Sequence, residues 1–285
     1  MFTTNAIARR LPQTRIKLFF ARILYILIRI FLRSNLVHVK RHGIHYLLDI
    51  SEGIELSIFI FGRFQNIILK NRFYTLPQDA VIFDVGANIG SMSLAFSQNA
   101  PQGHVYAFEP TDYAFKKLLK NLDLNPKLKS RITTAKCFAS NKSLYAPMLM
   151  ATSSWKTNHF FSKGHPVHGG ITKSSGNAPS ITLDDYCLKQ AISRLDLIKI
   201  DTEGQELDVI KGAMSCIRRF KPIIIFEAGQ YIMDENGFDF KDIERVLEEL
   251  NYRFYSLQSG MEITGLNDQT IIPRLSTIDI IARPS

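Results

Sequence analysis

Short apolar runs alternate with helix-length amphipathic segments from Val81 onward, and this alternation dominates the sequence. The apolar runs predict strands at 81–85, 105–109, 132–138, 180–182, 195–200, 222–226, 252–257 and 277–282. The segments between them predict helices at 91–99, 112–123, 184–192, 204–219 and 239–250. We expect Asp184 to cap the helix that begins there. Strands that alternate with helices of this length form parallel sheets, so the pattern predicts an α/β fold.

The first 75 residues precede this alternation and predict an accessory region beside a main domain at 76–285. Residues 15–33 predict an amphipathic helix, and at about 100° per residue its arginines form one narrow stripe. These are Arg15, Arg22, Arg29 and Arg33. A bilayer-spanning helix would bury arginines at about 2.5–3.5 kcal/mol each, so an in-plane helix is favoured. The alternative is docking on the protein core or on a second subunit, which would make a homo-oligomer.

Two further segments interrupt or flank the pattern. Residues 37–70 alternate apolar and polar positions in patches. We expect them to form short strands or a helix that covers the open side of the ligand-binding site of the main domain. Residues 141–179 are rich in small and polar residues, and a loop of that length inside a domain is usually functional. We interpret it as a lid on the substrate side, with His168 as a substrate contact.

The positive charge is confined to the first part of the chain. Of 35 basic and 26 acidic residues, 12 basic and 3 acidic ones lie in residues 1–75, so the rest of the chain is neutral. A protein that grips nucleic acid at its active site would carry basic charge there, so we expect no nucleic-acid partner. The asymmetry points instead to an anionic partner for the N-terminal region, most simply a membrane surface.

The three cysteines, Cys137, Cys187 and Cys216, lie far apart and form no Cys-x-x-Cys motif. An odd and sparse count argues against a disulfide framework and for a reducing compartment. We therefore expect small core residues or free thiols. We also expect a cytoplasmic location, at the inner face of a membrane if the helix 15–33 binds lipid.

A strand, a tight turn and a helix N-terminus are predicted at Val81–Gly90, which is the arrangement that brings backbone N–H groups to a nucleoside or nucleotide. Gly86 and Gly90 supply the permissive backbone of this turn. A second strand ends at Glu109, about 20 residues further on, where a ribose would need an acceptor for its hydroxyls. Because ligands bind beyond the carboxyl ends of parallel strands, the acids that end four strands should converge. They are Asp84, Glu109, Asp201 and Glu227.

Three ordered motifs carry a resemblance to a known family. DVGANIG at 84–90, AFEP at 107–110 and KIDTEGQE at 199–206 are similar to the FkbM-type family of S-adenosylmethionine-dependent methyltransferases. The resemblance covers about residues 81–227 and implies a Rossmann-like class I methyltransferase fold, with a seven-stranded sheet that ends in an antiparallel pair. It also implies S-adenosylmethionine as the cofactor.

Within that resemblance, the cofactor-binding residues would be Asp84, Gly86, Asn88, Gly90, Glu109 and Asn141. Glu109 would accept both ribose hydroxyls, and Asp84 would hold the turn or the ammonium end of the cofactor. Gly86 and Gly90 would let the backbone reach the methionine moiety. Asn141 stands where the family tends to have an acidic residue that contacts adenine.

Methyl transfer to an alcohol requires an in-line geometry and removal of a proton from the acceptor. The candidate catalytic residues are Lys199, Asp201 and Glu203, and Glu227 is a candidate substrate contact beside His168. A divalent ion on Asp201 and Glu203 is not favoured, because two carboxylates lack a clear third ligand. We assign Glu206 to charge complementarity at a helix N-terminus.

The sequence therefore predicts an O-methyltransferase that acts on a hydroxyl of a small molecule or glycan. One alternative is a Rossmann-type oxidoreductase, which the lack of a Gly-x-Gly-x-x-Gly motif disfavours. Another is a membrane-associated scaffold with a degenerate methyltransferase fold, which the intact acidic strand ends disfavour.

Overall fold

The computed structural model describes residues 13–62, 64–144, 150–155, 170–263 and 276–285. The described strands are β1 (Leu36–Arg41), β2 (Ile44–Asp49), β3 (Val81–Val85), β4 (His104–Phe108), β5 (Ile132–Ala135), β6 (Phe138–Ala139), β7 (Met150–Trp155), β8 (Gly170–Ser174), β9 (Ser180–Ile181), β10 (Leu197–Ile200), β11 (Ile223–Ala228), β12 (Tyr252–Ser256), β13 (Glu262–Ile263) and β14 (Ile278–Pro284). The described helices are α1 (Gln13–Phe31), α2 (Gly53–Phe61), α3 (Asn66–Leu69), α4 (Ser91–Asn99), α5 (Asp112–Asp123), α6 (Pro126–Lys129), α7 (Leu183–Lys189), α8 (Glu206–Lys211), α9 (Met214–Phe220), α10 (Gln230–Glu235) and α11 (Phe240–Glu248).

The largest sheet among the described residues has the strand order β13-β12-β14-β11-β10-β3-β4-β5. The strands from β11 to β5 are parallel, and β14 runs antiparallel between β11 and β12. Seven of the eight predicted strands form this sheet, as the resemblance implies, and the short β13 adds an eighth strand at its edge. The remaining predicted strand, at 180–182, is β9, which lies outside this sheet. The predicted strand 132–138 is shorter than expected, because β6 leaves this sheet and pairs with β9. The α/β class and the mostly parallel sheet are thus confirmed.

Alternate residues of the central strands enter two separate cores, one on each face of the sheet, as pleated strands require. Phe83, Ile198 and Ile224 pack on the side of α7, α8, α9 and α11. Ile82, Leu197 and Ile225 pack on the side of α4 and α5. Each face of the sheet is therefore covered, which explains why the strands are continuously apolar.

The N-terminal region shares the second core. Buried side chains of β2, α2 and α3 belong to the same cluster as the sheet, among them Ile44, Leu48 and Ile58. The amide oxygen of Asn121 accepts from the backbone N–H of Leu47 at 2.9 Å. The predicted short strands and helix at 37–70 are thus present. The division of the chain at residue 76 stays a prediction, because one core runs across it.

The predicted helix 204–219 is wrong in one respect, because it is broken into α8 and α9 at Gly212. A Cβ on Gly212 would lie 1.9 Å from the carbonyl oxygen of Ser140, so only glycine permits this approach. The prediction that Asp184 caps α7 is also wrong. Thr182 caps α7 by accepting from Asp185 N, whereas the Asp184 carboxylate accepts from the first N–H groups of α9 at 2.8–2.9 Å.

The interrupting segment 141–179 contains a described hairpin. β7 and β8 pair antiparallel, with β7 against α2 and β8 against α5. Lys173 on β8 forms an ion pair with buried Glu52 at 3.2 Å and lies 4.0 Å above the ring of Tyr113. The three cysteines are free and buried, as predicted. In the part of the chain that the structure describes, no helix is both long enough and apolar enough to cross a membrane.

A buried ion pair fastens α2 to α5. Glu55 on α2 binds the Lys117 ammonium, accepts from Tyr113 OH at 3.2 Å and accepts from Asp49 N at 2.5 Å. Burial raises the pKa of Glu55, and the Lys117 charge opposes that rise. Removing one partner of such a pair leaves an uncompensated buried group.

Lys117→Met should therefore lower the free energy of unfolding by about 3–5 kcal/mol in denaturant titration. The matched control is Lys129→Met, because Lys129 forms an ion pair of 2.7 Å with Asp123 in which both side chains are more than half exposed. That change should cost about 0–1 kcal/mol. Equal effects of the two substitutions would show that the Glu55 pair does not fasten the N-terminal region.

Candidate active site

The carboxyl ends of β3, β4 and β10 border one cavity of about 420 Å³. The order of the strands reverses between β3 and β10, and ligands in open α/β sheets bind at such a switch point. The lining residues come from the strand ends and the loops that follow them, from α2, from the loop before α3, from the start of α4 and from α10. They are Ile54, Phe64, Gln65, Val85, Gly86, Ala87, Asn88, Ser91, Met92, Phe108, Glu109, Pro110, Thr111, Cys137, Phe138, Ala139, Ser140, Lys199, Asp201, Thr202, Glu203, Gln205, Ile232, Glu235 and Asn236.

Lys199 is the buried cation of this site. It lies opposite Asp84 in the pairing of β10 with β3, and its Nζ is 3.2 Å from Asp84 Oδ1 and 3.4 Å from Asp201 Oδ2. It also donates to the carbonyl of Gly86 at 3.2 Å. Burial alone would lower the pKa of Lys199, but the charges of Asp84 and Asp201 outweigh it and raise that pKa above its usual value. The side chain therefore stays an ammonium, which fits positioning and does not fit the role of a general base.

Asp84 lies behind this cation and does not line the cavity. It is fully buried, and its Oδ2 accepts from Ser93 Oγ of α4 at 2.5 Å. The carboxylate therefore joins β3, β10 and the start of α4. Of the two roles expected for Asp84, the geometry fits the one of holding the turn.

The turn after β3 lies against its neighbours on both sides. The N–H groups of Gly86 and Ala87 donate to the Phe108 carbonyl at 2.9–3.0 Å. A Cβ on Gly86 would lie 1.9 Å from the carbonyl oxygen of Asp201, and one on Gly90 would lie 2.4 Å from Leu118. Both glycines are thus required by the packing of the protein itself. Gly86 also lines the cavity, whereas Gly90 is not among the lining residues.

Glu109 follows β4 and is 5% exposed. Its Oε2 accepts from Asn88 N at 2.9 Å, and its Oε1 accepts from the N–H and the hydroxyl of Thr111 at 2.9 and 2.6 Å. Burial raises the pKa of Glu109, against the effect of these hydrogen bonds. The three donors fix the carboxylate in one orientation at the cavity wall, and this rigidity suits it to bind the hydroxyls of a diol.

Four acids form one group of interacting carboxyls beside Lys199: Asp201 and Glu203 after β10, Glu227 on β11 and Asp279 on β14. Burial, Asp201 and Glu206 raise the pKa of Glu203 to about 8. Burial, Asp201 and Glu203 raise the pKa of Glu227 well above its usual value, and burial with Asp201 raises that of Asp279 to about 6. The group therefore carries protons at neutral pH that isolated carboxyls would have lost.

Glu206 contributes charge to this group, but its own contacts are structural. Its carboxylate accepts from the N–H groups of Thr202 and Gly204 at 3.1 and 3.2 Å. It thus satisfies backbone donors before α8, in keeping with the structural role expected for it.

Three non-glycine residues with left-handed backbone conformations line the cavity. They are Gln65 at φ 50°, Asn88 at φ 49° and Glu203 at φ 53°. Such conformations cost free energy and cluster at functional sites. Here they direct three polar side chains from separate loops to one cavity.

Gln65 is the functional candidate that the sequence analysis missed. It donates from Nε2 to Asp201 Oδ2 at 2.8 Å across 136 positions of the chain, and its Oε1 has no hydrogen-bond partner although that atom is buried. It lies in the region expected to cover the site without chemistry. No local pattern around it could have indicated this long-range contact.

Two other predicted residues, Asn141 and Glu227, are not brought to the cavity. Asn141 is exposed, and its amide donates to Asp208 at 2.7 Å, so the adenine contact expected of it is not supported by its position. The loop before it, Cys137–Ser140, lines the cavity in its place. Glu227 is not a lining residue and accepts from the Thr277 hydroxyl. His168 lies outside the described residues, as do residues 145–149 and 156–169 of the predicted lid.

The described residues contain no group of three or more His, Cys, Asp or Glu side chains arranged to hold a metal ion. The cavity contains three features: the rigidly held Glu109 carboxylate after β4, which can accept hydrogen bonds from a diol, the close-packed turn after β3, and the acids after β10. These groups suit a ligand with hydroxyls and positive charge.

Comparison with known proteins places this arrangement in a family. Residues 84–254 match the model described as Methyltransferase FkbM domain. The chain is 25% identical over 231 residues to methyltransferase sdnD of Sordaria araneosa, an alignment that covers 67% of this chain and 89% of that protein. It is 26% identical over 190 residues to hexuronic acid methyltransferase AglP of Haloferax volcanii, covering 67% of each.

A solved structure is also similar. It is the crystal structure of methyltransferase FkbM from Methylobacillus flagellatus KT, at 19% identity and a TM-score of 0.45. The alignment covers 73% of this chain and 45% of that chain, so the present protein spans less than half of it. Because the family match includes the strand ends, the turn and the acids that border the cavity, the chain belongs to the FkbM-type family of S-adenosylmethionine-dependent methyltransferases.

Proposed function

We propose that this enzyme methylates a hydroxyl group of a small molecule or glycan, with S-adenosylmethionine bound in the cavity at the β3–β10 switch point. The observation that carries the proposal is the placement of two kinds of acid in one cavity. Glu109 follows β4 on one side of β3, and Asp201 and Glu203 follow β10 on the other side. Glu109 suits the ribose of the cofactor, and the pair of Asp201 and Glu203 suits the hydroxyl of an acceptor.

The cavity residues fit S-adenosylmethionine, which supplies an electrophilic methyl group on a positively charged sulfur. Glu109 would accept from the ribose hydroxyls, and the turn at Gly86–Asn88 would face the methionine moiety. The apolar side chains of Phe108 and Phe138 would suit adenine. Asp84 and Asp201 place two carboxylates against the single ammonium of Lys199 at this edge of the sheet, which favours a cation over a neutral cofactor.

Glu203 is the proposed general base, and Asp201 is a positioning residue beside it. A base works best when its pKa lies near the operating pH, and the pKa of Glu203 is raised to about 8. Asp201 is held by the Lys199 ammonium at 3.4 Å and by the Gln65 amide at 2.8 Å. This leaves Glu203 as the lining acid that is best suited to take a proton.

The acceptor class rests on a relative and on the chemistry of the site. AglP is named a hexuronic acid methyltransferase, which supports a sugar hydroxyl as one acceptor. His168 remains a proposed contact on the acceptor side, whereas Glu227 lies outside the cavity lining and is not proposed as one. We also propose that the enzyme acts in the cytoplasm at the inner face of a membrane, because the first 48 residues contain nine basic and no acidic residues.

The proposed function is tested by isotope transfer. Extracts are incubated with S-adenosylmethionine that carries a deuterated methyl group, with and without the enzyme, and searched by mass spectrometry for products that gain it. Label on a hydroxyl oxygen of a glycan or small molecule supports the proposal. Label confined to nitrogen or carbon, or no label despite cofactor binding, would overturn the assignment of O-methylation.

Glu109→Ala should weaken the binding of S-adenosylhomocysteine by about 1.5–3 kcal/mol, because the ribose hydroxyls lose a charged acceptor. Isothermal titration calorimetry measures the change. Glu248→Ala is the control, since Glu248 is an exposed residue of α11, and it should bind as the wild type does. If a folded Glu109→Ala protein keeps full affinity, Glu109 does not hold the ribose.

Glu203→Gln should separate binding from chemistry. Only the deprotonated carboxylate accepts a proton, so methyl transfer by the wild type should rise with pH and level off above about 8. The variant should lose about 100- to 10,000-fold in rate together with this rise, and it should keep its affinity for S-adenosylhomocysteine. The readout is the initial rate of label transfer across a pH series.

Asp201→Asn should lower the rate and keep a rise with pH, because the base is still present. The midpoint of that rise should move to lower pH, since the Asp201 charge helps to raise the pKa of Glu203. Glu248→Gln is the control for carboxylate removal and should change neither the rate nor its pH dependence. An unchanged pH profile in Glu203→Gln would assign the base to another group.

A further inference from the structure

Helix α1 is only partly covered by the rest of the protein. From Phe20 onward, where its side chains are described, Ala21, Tyr25, Ile28 and Leu32 are half-buried, and at about 100° per residue they form one stripe. α1 contacts α2, and Tyr25 OH donates to the Asn35 side chain at 3.0 Å. The docked helix predicted as one alternative is therefore present along this stripe.

A second and wider stripe of α1 faces solvent. Its members are apolar, are between 39% and 85% exposed, and span an arc of about 160° at 100° per residue. They are Phe20, Ile23, Leu24, Ile26, Leu27, Ile30 and Phe31. Phe61 at the end of α2 and Leu36 at the start of β1 are also more than half exposed. We call these nine side chains the apolar face.

Water-exposed apolar side chains occur singly on most proteins, but a concentrated group of this kind marks an interaction site. Removing such side chains from water is favourable in proportion to the apolar area that is buried. The apolar face is therefore an unused source of binding free energy on the side of α1 away from the core.

The charge next to the apolar face has one sign. Arg22, Arg29 and Arg33 fall within about 40° of one another along one edge of the exposed stripe. The guanidinium of Arg29 donates to the Leu32 carbonyl at 2.6 Å, which holds it close to the helix. Because residues 1–48 contain nine basic and no acidic residues, the partner of this face should carry negative charge.

This charge distinguishes between occupants. A second copy of the chain would bring another nine positive charges to the same contact, and like charges that meet at an interface are unfavourable. Nucleic acid would satisfy the arginines and leave the large apolar side chains exposed. An anionic lipid surface satisfies both, since the acyl boundary accepts the apolar side chains and the headgroups pair with arginine.

We propose that α1 docks in the plane of an anionic lipid surface through the apolar face, while its opposite stripe stays packed on α2. Docking on the protein and binding to a membrane were the two alternatives for this helix. Both then apply, each through a different stripe of α1. The proposal concerns attachment alone and does not depend on the methyl transfer, because no cavity-lining residue among those described belongs to α1.

The test uses the full-length protein and sedimentation with two kinds of vesicle, one of phosphatidylcholine alone and one of phosphatidylcholine and phosphatidylglycerol in equal parts. The wild type should sediment with the anionic vesicles and should bind the neutral ones at least about tenfold more weakly, since each nearby arginine contributes about 1 kcal/mol. High salt should weaken the binding to anionic vesicles and should not abolish it, because the apolar contacts are not screened.

The double variant Ile30→Ser and Phe31→Ser removes two of the most exposed members of the apolar face. It should bind anionic vesicles at least about tenfold more weakly than the wild type. The matched control is Leu188→Ser, because Leu188 is 76% exposed on α7. This control should bind as the wild type does. Binding of S-adenosylhomocysteine should be unchanged in all three proteins, so a failure of attachment is distinguished from a failure of the enzyme.

Three outcomes would overturn the proposal. The full-length protein could stay in the supernatant with both kinds of vesicle, or the double variant could bind as well as Leu188→Ser. In the third, light scattering without lipid shows a wild-type dimer that the double variant converts to a monomer, which would assign the apolar face to contact between two copies.

Discussion

The ammonium group of Lys199 is the interaction on which the active edge of the sheet depends. It lies between the carboxylates of Asp84 and Asp201 and also binds the Gly86 carbonyl, so it joins the ends of β3 and β10. Asp84 is fully buried, and an uncompensated charge there would be strongly destabilising. Because Asp84 in turn accepts from Ser93, the start of α4 depends on the same cation.

One cation is not enough for the acids around it. Beyond Asp84 and Asp201, which Lys199 holds, the carboxyls of Glu203, Glu227 and Asp279 have raised pKa values because they are buried beside other negative charge. At neutral pH, protons on these carboxyls therefore offset part of the excess negative charge at the switch point. A sulfonium cofactor bound in the cavity, as proposed, would bring positive charge to this group, so the electrostatics of the site fit the cofactor of the family. Lys199 therefore fixes the positions of the strand ends, and proton transfer is left to the acids that Lys199 does not pair with.

The features that the sequence predicted well are those specified by neighbouring residues. The bounds of α4 and α5 match the predictions, because the signals that start and end them are local, such as the Thr111 cap and the Asn125-Pro126 pair. The convergence of Glu109 and Asp201 followed from the parallel sheet alone. The break at Gly212 could not be predicted, since its cause is the carbonyl of Ser140 far away in the chain. The position of Gln65 beside Asp201 could not be predicted for the same reason, because it depends on a contact across 136 positions of the chain.

The hairpin of β7 and β8 has a consequence for how this family could diversify. Trp155 pairs with Gly170, so the intervening segment begins and ends at adjacent points that the hairpin already fixes. The Lys173–Glu52 pair anchors that hairpin to the accessory region. Closing a longer segment between fixed ends adds only about 0.6 kcal/mol for each doubling of its length. Insertions and deletions between residues 155 and 170 should thus cost little folding free energy, so the chain can change in length at this point while the large sheet stays intact.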